Sequence, residues 1–254
     1  MTAEQSQLFH LLCIFKEKCD QHRLRYYLAG GTLLGAVRHH GFIPWDDDID
    51  VYMPLEDILA FQKLSSTLPE GIEIQTVEND PRYPFVFPKL CDTRHPFHTG
   101  YFNEPKGVYI DIFPLIPSKD PGRETTLRFQ FIGLINYVLQ VKLDWTGFIP
   151  YKSWWKRLAF WLLGHFSVER LRELRRKQIG RLYRPDGMET VCSPGGGYKA
   201  DKEFFPTQWF REAVELTFEG ESFCAPIGWH EYLTNHYANY MELPPPEERQ
   251  SRHK

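Results

Sequence analysis

The sequence predicts an α+β fold, a sheet flanked by helices with a separate helical region set into the chain. Three observations carry this. Short segments with apolar side chains at alternate positions recur through the first 115 residues, interleaved with segments of helical spacing. From about 120 to 184 the strand signals vanish, and Leu, Phe and Trp alternate with basic residues at helical spacing. A hairpin pattern and one more helix then close the chain.

Leu8, Leu11, Leu12, Phe15 and Cys19 recur at helical intervals, so residues 4–20 read as an amphipathic helix. A strand over 25–29 ends in Gly30-Gly31, read as a tight turn, and a helix is expected over 32–39. A strand over 48–53 ends at Pro54, and 55–65 reads as helix up to the Leu68-Pro69-Glu70-Gly71 turn. Ile72 and Ile74 alternate with polar neighbours. So do Phe85, Phe87 and Lys89, and then Val108, Ile110 and Ile112, giving three further strands. Pro150 is expected to split the helical region in two, and Ser193-Pro194-Gly195-Gly196-Gly197 reads as a flexible loop. A hairpin over 214–224 turns at Glu219-Gly220-Glu221, and a last helix covers 229–239.

Composition sets the outer limits. At 254 residues with 42% hydrophobic side chains, the chain can bury one large core, or one core with an insertion. A net charge of −3 argues against a nucleic-acid partner, which needs a basic excess. Five scattered cysteines without a CxxC pair fit reduced thiols better than a disulfide framework or a zinc site. No basic flank leads into a long apolar run, and no stretch reaches the roughly 18 apolar residues of a transmembrane helix. A cytoplasmic location is the expectation, with peripheral contact at the inner face of the membrane as an added possibility.

The chemistry concentrates between residues 28 and 51. The first amides of a helix have no partner within it and carry the positive end of its dipole, and glycines let a phosphate approach them closely. Gly30, Gly31 and Thr32 are therefore candidates for holding phosphate. Trp45-Asp46-Asp47-Asp48-Ile49-Asp50-Val51 follows. Side chains two apart on a strand share a face, so Asp48 and Asp50 lie together and Asp46 extends the row. Ile49 and Val51 require burial between the acids, which a solvated acidic loop does not explain. Clustered carboxylates repel unless a cation sits among them, and hard oxygen donors beside phosphate suit Mg²⁺ or Mn²⁺. Asp111 sits in a strand that would lie beside this one. Arg38 and Lys89 are candidate phosphate contacts, one a planar fork and the other a point charge, with surface ion pairing as the competing reading. His39 and His40 read more simply as a basic helix C-terminus, and His95 and His98 fall in a polar loop. Trp45, Tyr101, Phe102 and Tyr109 are better read as packing groups than as a platform for a base or a cationic head group.

These blocks, together with Tyr109-Ile110-Asp111-Ile112-Phe113-Pro114-Leu115 and Tyr240-Met241-Glu242-Leu243-Pro244-Pro245, resemble the LicD family of phosphotransferases, related to the fukutin-type ribitol-phosphate transferases. The resemblance spans positions 28 to 245. It implies a nucleotidyltransferase-like mixed β-sheet core flanked by helices. On that basis 1–119 is the catalytic core, 120–190 a helical aromatic and basic insertion, and 191–254 a C-terminal hairpin and helix on the core, all within one domain. It further implies that Asp48, Asp50 and Asp111 hold the divalent ion, with Asp111 as general base and Asp46 behind them. The implied donor is a CDP-alcohol (CDP-choline, CDP-ribitol or CDP-glycerol), the acceptor a hydroxyl of a glycan or lipid-linked sugar, and the leaving group CMP. Phosphocholine is the first expectation for the head group, with ribitol or glycerol phosphate behind it, and lipopolysaccharide, teichoic-acid and capsule precursors are the acceptors the resemblance implies. Two departures from the family pattern stand out: His230 where an Asp is expected, and Tyr237-Ala238-Asn239-Tyr240 where Tyr-Gly-Asp-Tyr is common.

Three readings stay open for 127–184: a subdomain packed on the core, contact with a membrane surface through Trp154, Trp155 and Trp161 among Lys and Arg, or an oligomer interface. Functional alternatives are a glycosyltransferase, an NTP-dependent nucleotidyltransferase and a silent scaffold. The first needs a larger nucleotide-binding domain than the 47 residues ahead of Asp48 provide.

Overall fold

A computed structural model describes residues 1–96, 103–146, 153–186 and 189–249. Helix α1 (Ala3–His22) opens with a capping box in which Thr2 and Gln5 exchange side chain-to-backbone bonds of 2.9 and 3.1 Å. It buries Leu8, Leu11, Leu12, Phe15 and Cys19, the stripe read from the sequence. Strand β1 (Tyr27–Leu28), helix α2 (Gly30–His39), strand β2 (Asp50–Pro54) and helix α3 (Leu55–Gln62) follow. After them come β3 (Ile72–Gln75), β4 (Lys89–Asp92) and the long β5 (Val108–Ser118).

The sheet runs in the order β1-β2-β5-β4-β3. β2 and β5 are parallel and the other pairs antiparallel, so the sheet is mixed and the molecule α+β. Pairing of β5 with β4 stops at Asp111, and its later half takes up β6 (Thr190–Cys192), which pairs with β7 (Phe204–Pro206). Pro114 falls between the two partners, where β5 is paired only with β2, so a missing N–H is tolerated there.

Helices α4 (Arg123–Lys142), α5 (Trp154–Gly164) and α6 (Val168–Leu182) enclose a small core of Ile135, Val138, Leu139, Leu163 and Leu171. A second cluster, including Ile116, Phe129, Leu182 and Phe204, joins them to the end of β5. The hairpin β8 (Ala213–Phe218) and β9 (Glu221–Pro226) turns at Glu219-Gly220, both at positive φ, and α7 (Trp229–Tyr237) follows.

Five expectations are corrected. Gly30 and Gly31 are the first turn of α2, not a turn ahead of a helix starting at 32. Strand pairing begins at Ile49, whose carbonyl accepts from the Asp111 N–H, so Asp46 and Asp48 belong to the loop before β2. Of 85–89 only Lys89 enters a strand, because Phe85 and Phe87 stack with each other and pack on Trp145 and Phe113 instead. Among the described residues the helical region holds three helices rather than two, and Pro150 lies outside those residues. Finally, 193–197 is a loop as expected but a packed one over its first four residues, with Ser193 and Pro194 buried and a Cβ on Gly196 colliding with the Glu203 carboxylate, while Gly197 is exposed.

Candidate active site

The centre of the sheet brings the charged residues together. Parallel pairing sets Asp50 opposite Asp111, and antiparallel pairing sets Lys89 opposite Asp111 from the other side. Residues directly opposite share a face of the sheet, so the two acids and the lysine form one row across three strands. Lys89 Nζ forms an ion pair with Asp111 Oδ1, and the side chains are only 4% and 16% exposed. The ammonium lies 3.6 Å from the centroid of the Tyr109 ring and 5.0 Å from that of Phe85, so an aromatic wall closes over the cation. A lysine this deep is held by its carboxylate and its rings.

Helix α2 is stapled to β2 at its first turn. The Ala29 N–H donates to the Asp50 carbonyl at 3.0 Å, and the Asp50 N–H donates to Thr32 Oγ1 at 2.9 Å. These bonds pull the helix N-terminus onto the acids. A Cβ on Gly30 would stand 2.9 Å from Asp50 Oδ2, and one on Gly31 would stand 2.6 Å from Asp46 Oδ2. Gly30 also has φ +49°, a conformation that side chains with a Cβ rarely adopt. Glycines therefore occupy the two places where carboxylate oxygens crowd the helix. Gln5 Nε2 fixes the loop from the other side, donating to the Asp46 carbonyl at 2.9 Å.

Burial, reinforced by the negative charges of Asp48, Asp111 and Asp46 and opposed by Lys89, holds the Asp50 carboxyl well above the usual carboxylate range. Four acids thus act on one point. Their oxygens are the hard donors that a magnesium- or manganese-sized ion takes, and a cation there would relieve the repulsion. Among the described residues no three His, Cys, Asp or Glu side chains form a finished cage. Mg²⁺ commonly needs none, being held by one or two carboxylates together with substrate phosphates.

A cavity of about 620 Å³ opens over this corner, with Gly31, Arg38, Trp45, Asp46, Asp48 and Asp50 on one wall. The opposite wall is Tyr198 and the C-terminal stretch from Tyr237 to Pro245. Asp111 and Lys89 lie behind Asp50 rather than on the wall itself. Arg38 Nη1 donates to the carbonyls of Tyr240 and Glu242 at 2.8 and 3.2 Å, tying one wall to the other. Trp45 is half-buried at the rim, with the Arg249 guanidinium 5.7 Å from its ring.

Of the other sequence candidates, His39 lies against Arg38 and the edge of Trp45, while burial and then Arg38 lower its pKa. His40 caps α2 in the left-handed conformation. His95 is held by Gln7 at 3.0 Å and faces Asp92 at 3.9 Å. His98, Tyr101 and Phe102 lie outside the described residues.

Sequence reasoning missed a polar chain under the helix N-terminus. The Gly30 N–H donates to Tyr232 Oη at 3.1 Å, and that hydroxyl donates to Tyr52 Oη at 3.4 Å. Tyr52 is close enough to the Glu203 carboxylate to lower its pKa, and that carboxylate accepts from the Tyr198 N–H at 3.1 Å while its Oε2 is buried without a partner among the described residues. Burial pushes the Glu203 carboxyl up to about 8, against the lowering effect of those two neighbours. Tyr198 Oη and Tyr237 Oη meet at 3.0 Å, returning the chain to the cavity wall. Of its members, Gly30 and Tyr237 lie in blocks singled out from the sequence, while Tyr52, Tyr198 and Glu203 carry no such mark.

The comparisons with known proteins fall on these elements. The family described as "LicD/FKTN/FKRP, nucleotidyltransferase domain" matches residues 23–131, a span that includes α2, β2, β4 and β5. The whole chain is 30% identical over 275 aligned positions to the lipopolysaccharide cholinephosphotransferase LicD of Haemophilus influenzae, covering 96% of that protein. The human ribitol 5-phosphate transferase FKRP is 34% identical over 130 residues, which is 50% of this chain and 24% of that longer protein. The mouse FKRP protein is 34% identical over 94 residues, 37% of this chain and 17% of its own length. The likeness to the Haemophilus protein runs end to end, and the family match covers the strands that carry Asp50, Lys89 and Asp111, so the chain belongs to the LicD family.

Proposed function

We propose that this protein is a transferase that moves a phospho-alcohol group, phosphocholine or a ribitol- or glycerol-phosphate, from a CDP-linked donor to a glycan hydroxyl. The observation that carries the reading is the row Asp50–Asp111–Lys89 beneath a cavity whose wall is a helix N-terminus. The names of the two relatives above, a cholinephosphotransferase and a ribitol 5-phosphate transferase, support the class of group transferred.

In this reading the cavity takes the donor, with its diphosphate toward the first turn of α2 and the Asp46–Asp50 loop. The acceptor oxygen attacks the phosphorus that bears the alcohol, the bond from that phosphorus to the bridging oxygen breaks, CMP leaves, and a phosphodiester forms. Asp111 is the proposed base, its carboxylate oriented by Lys89, and because it does not line the donor cavity the acceptor hydroxyl would reach it from the far side of Asp50. Asp48 and Asp50 would hold Mg²⁺ or Mn²⁺, which when bound supplies charge stabilisation to the phosphate oxygens. Gly30 and Gly31 keep the helix end open to the phosphates, and positioning by such a cradle supplies much of the rate. The glycan acceptor class follows from the Haemophilus relative's printed substrate, lipopolysaccharide.

The test is product analysis with CDP-choline, CDP-ribitol and CDP-glycerol, Mg²⁺ or Mn²⁺, and glycan acceptors. Metal-dependent release of CMP, lost in Asp48→Ala and Asp111→Ala, is expected. Pyrophosphate from CTP and a phospho-alcohol would instead establish an NTP-dependent nucleotidyltransferase. UDP released from a UDP-sugar would establish glycosyl transfer. Stabilisation by none of these donors in a thermal-shift screen, with glycan modification intact in both variants, would leave a scaffold.

A further inference from the structure

Helix α5 has two apolar faces, and only one is used by the fold. Leu163 and Phe160 turn inward onto the core formed with Val138 and Leu139. On the other side Trp154, Trp155, Leu158, Trp161 and Leu162 remain 76%, 53%, 47%, 60% and 52% exposed. Their spacing (i, i+1, i+4, i+7, i+8) makes one continuous stripe along the helix. Three of the seven tryptophans in the chain therefore stand in solvent on one 11-residue helix. An exposed apolar stripe of this kind marks a surface that something covers.

Charge identifies the occupant. Residues 153–184 hold nine Lys and Arg against two Glu, in a chain whose net charge is −3. Arg157, Arg170, Arg176, Lys177, Arg181 and Arg184 are exposed. A second copy docking through the same patch would bring these cations against themselves, which disfavours a symmetric dimer. An anionic bilayer complements both features. Indole rings settle at the headgroup level with the ring in apolar surroundings and the N–H in the wet layer, and Lys and Arg meet the lipid phosphates. At 11 residues α5 is too short to span, and among the described residues no helix is long and apolar enough to cross a membrane, so α5 would lie in the plane of the interface.

We propose that α5 docks the protein on an anionic membrane surface, with the Trp154–Leu162 stripe in the headgroup layer and the cations of α5 and α6 against lipid phosphate. This does not depend on the transfer reaction. It gives that reaction a reason to reach a lipid-linked acceptor, and it stands or falls separately from it.

The test uses the full chain with vesicles of phosphatidylcholine alone and of phosphatidylcholine mixed with phosphatidylglycerol. Co-sedimentation with the anionic vesicles, a blue shift of tryptophan fluorescence on binding, and release at about 0.5 M salt, where screening is short-ranged, are expected. The variant Trp154→Ala/Trp155→Ala/Trp161→Ala should bind about 10-fold more weakly while keeping its melting temperature, since its side chains support no core. The variant Arg157→Glu, exposed on α5 beside the stripe, should weaken the preference for anionic vesicles. Absence of binding to either vesicle, or unchanged binding by the triple variant, overturns the proposal. So does a stable dimer in light scattering that the triple variant dissociates, because the stripe would then be covered by a second copy.

Discussion

Asp50 is held where its own charge is disfavoured, and the sign of the consequence can be worked out. Its pKa is raised on folding, by burial first and by Asp48, Asp111 and Asp46 next. A carboxyl raised in this way contributes stability that is complete below the unfolded carboxylate range and is lost as pH rises through the folded value. In chelator-containing buffer, Asp50→Asn should therefore melt no lower than wild type near pH 8, and its melting temperature should vary less with pH. Activity should fall at least about 100-fold, as expected when an electrostatic group acting in the transition state is lost. A wild type clearly more stable than the variant at pH 8 without metal would show that the acids do not repel as argued. Gly30→Ala tests the neighbouring position. The positive φ and the crowding against Asp50 Oδ2 predict a loss of about 1–2 kcal/mol in thermal melts. At this scale Asp50 was legible because Ile49 and Val51, fully buried on either side of it, mark a buried strand, whereas Asp46 and Asp48, read as part of the same row, lie in the loop before it. Lys89 was legible only as a cation. Its engagement with Asp111 comes from strand register, which one sequence does not display.

Element by element, legibility followed length and periodicity. α1, β2 and the β8–β9 hairpin carry several turns or alternations and were read within a few residues, and β5 was found from its start but read only over 108–112 of a strand that runs to Ser118. β6 and β7 have three residues each, too few to show a period, and they are strands only because β5 outruns β4 and offers them an edge. α2 was started two residues late because glycines read as a turn, whereas Ala29 and Thr32 bond to Asp50 and draw the helix back to Gly30. Glu203, one residue ahead of β7, had no sequence signal at all, since an isolated Glu is normally solvated. Its raised pKa, about 8, makes a separable prediction. The neutral form is the favoured one, so its stabilising contribution is complete below about pH 4.5 and is lost as pH rises through about 8. Glu203→Gln keeps the acceptor for the Tyr198 N–H and removes the titration. The variant's melting temperature relative to wild type should rise steadily from pH 5 to pH 9, with roughly 2–4 °C for each kcal/mol in a chain of this size. His236, lowered to about 4 by burial, acts in the opposite sense between about 4 and 6.5, but it titrates in wild type and variant alike and so cancels from their difference. A difference independent of pH would mean that Glu203 is already ionised in the folded protein.

At the scale of the whole molecule, the site is assembled from residues 200 positions apart. Gly31, Arg38 and Asp48 form one wall of the cavity, and Tyr237, Tyr240 and Pro244 form the other. Arg38 joins them through the Tyr240 and Glu242 carbonyls. The sequence marked Arg38 as a phosphate contact or a surface ion pair, and the contact it makes here is with backbone oxygens, which no side-chain pattern announces. Two roles for it now give different results. If Arg38 holds the C-terminal wall in place, Arg38→Ala should raise the KM for the CDP-linked donor about 10-fold, worth about 1.4 kcal/mol. In that case kcat should change little, and limited proteolysis should cut more readily after Tyr237. Arg38→Lys would restore the wall poorly, because both bonds run from the terminal Nη1, which the shorter lysine side chain does not reach. If Arg38 instead meets phosphate in the transition state, kcat should fall with kcat/KM, Lys should recover part of it, and proteolysis should be unchanged. The structure favours the first pattern. Arg38 reaches both carbonyls within 3.2 Å, and a wall carried by a non-helical C-terminal stretch needs an anchor of this kind.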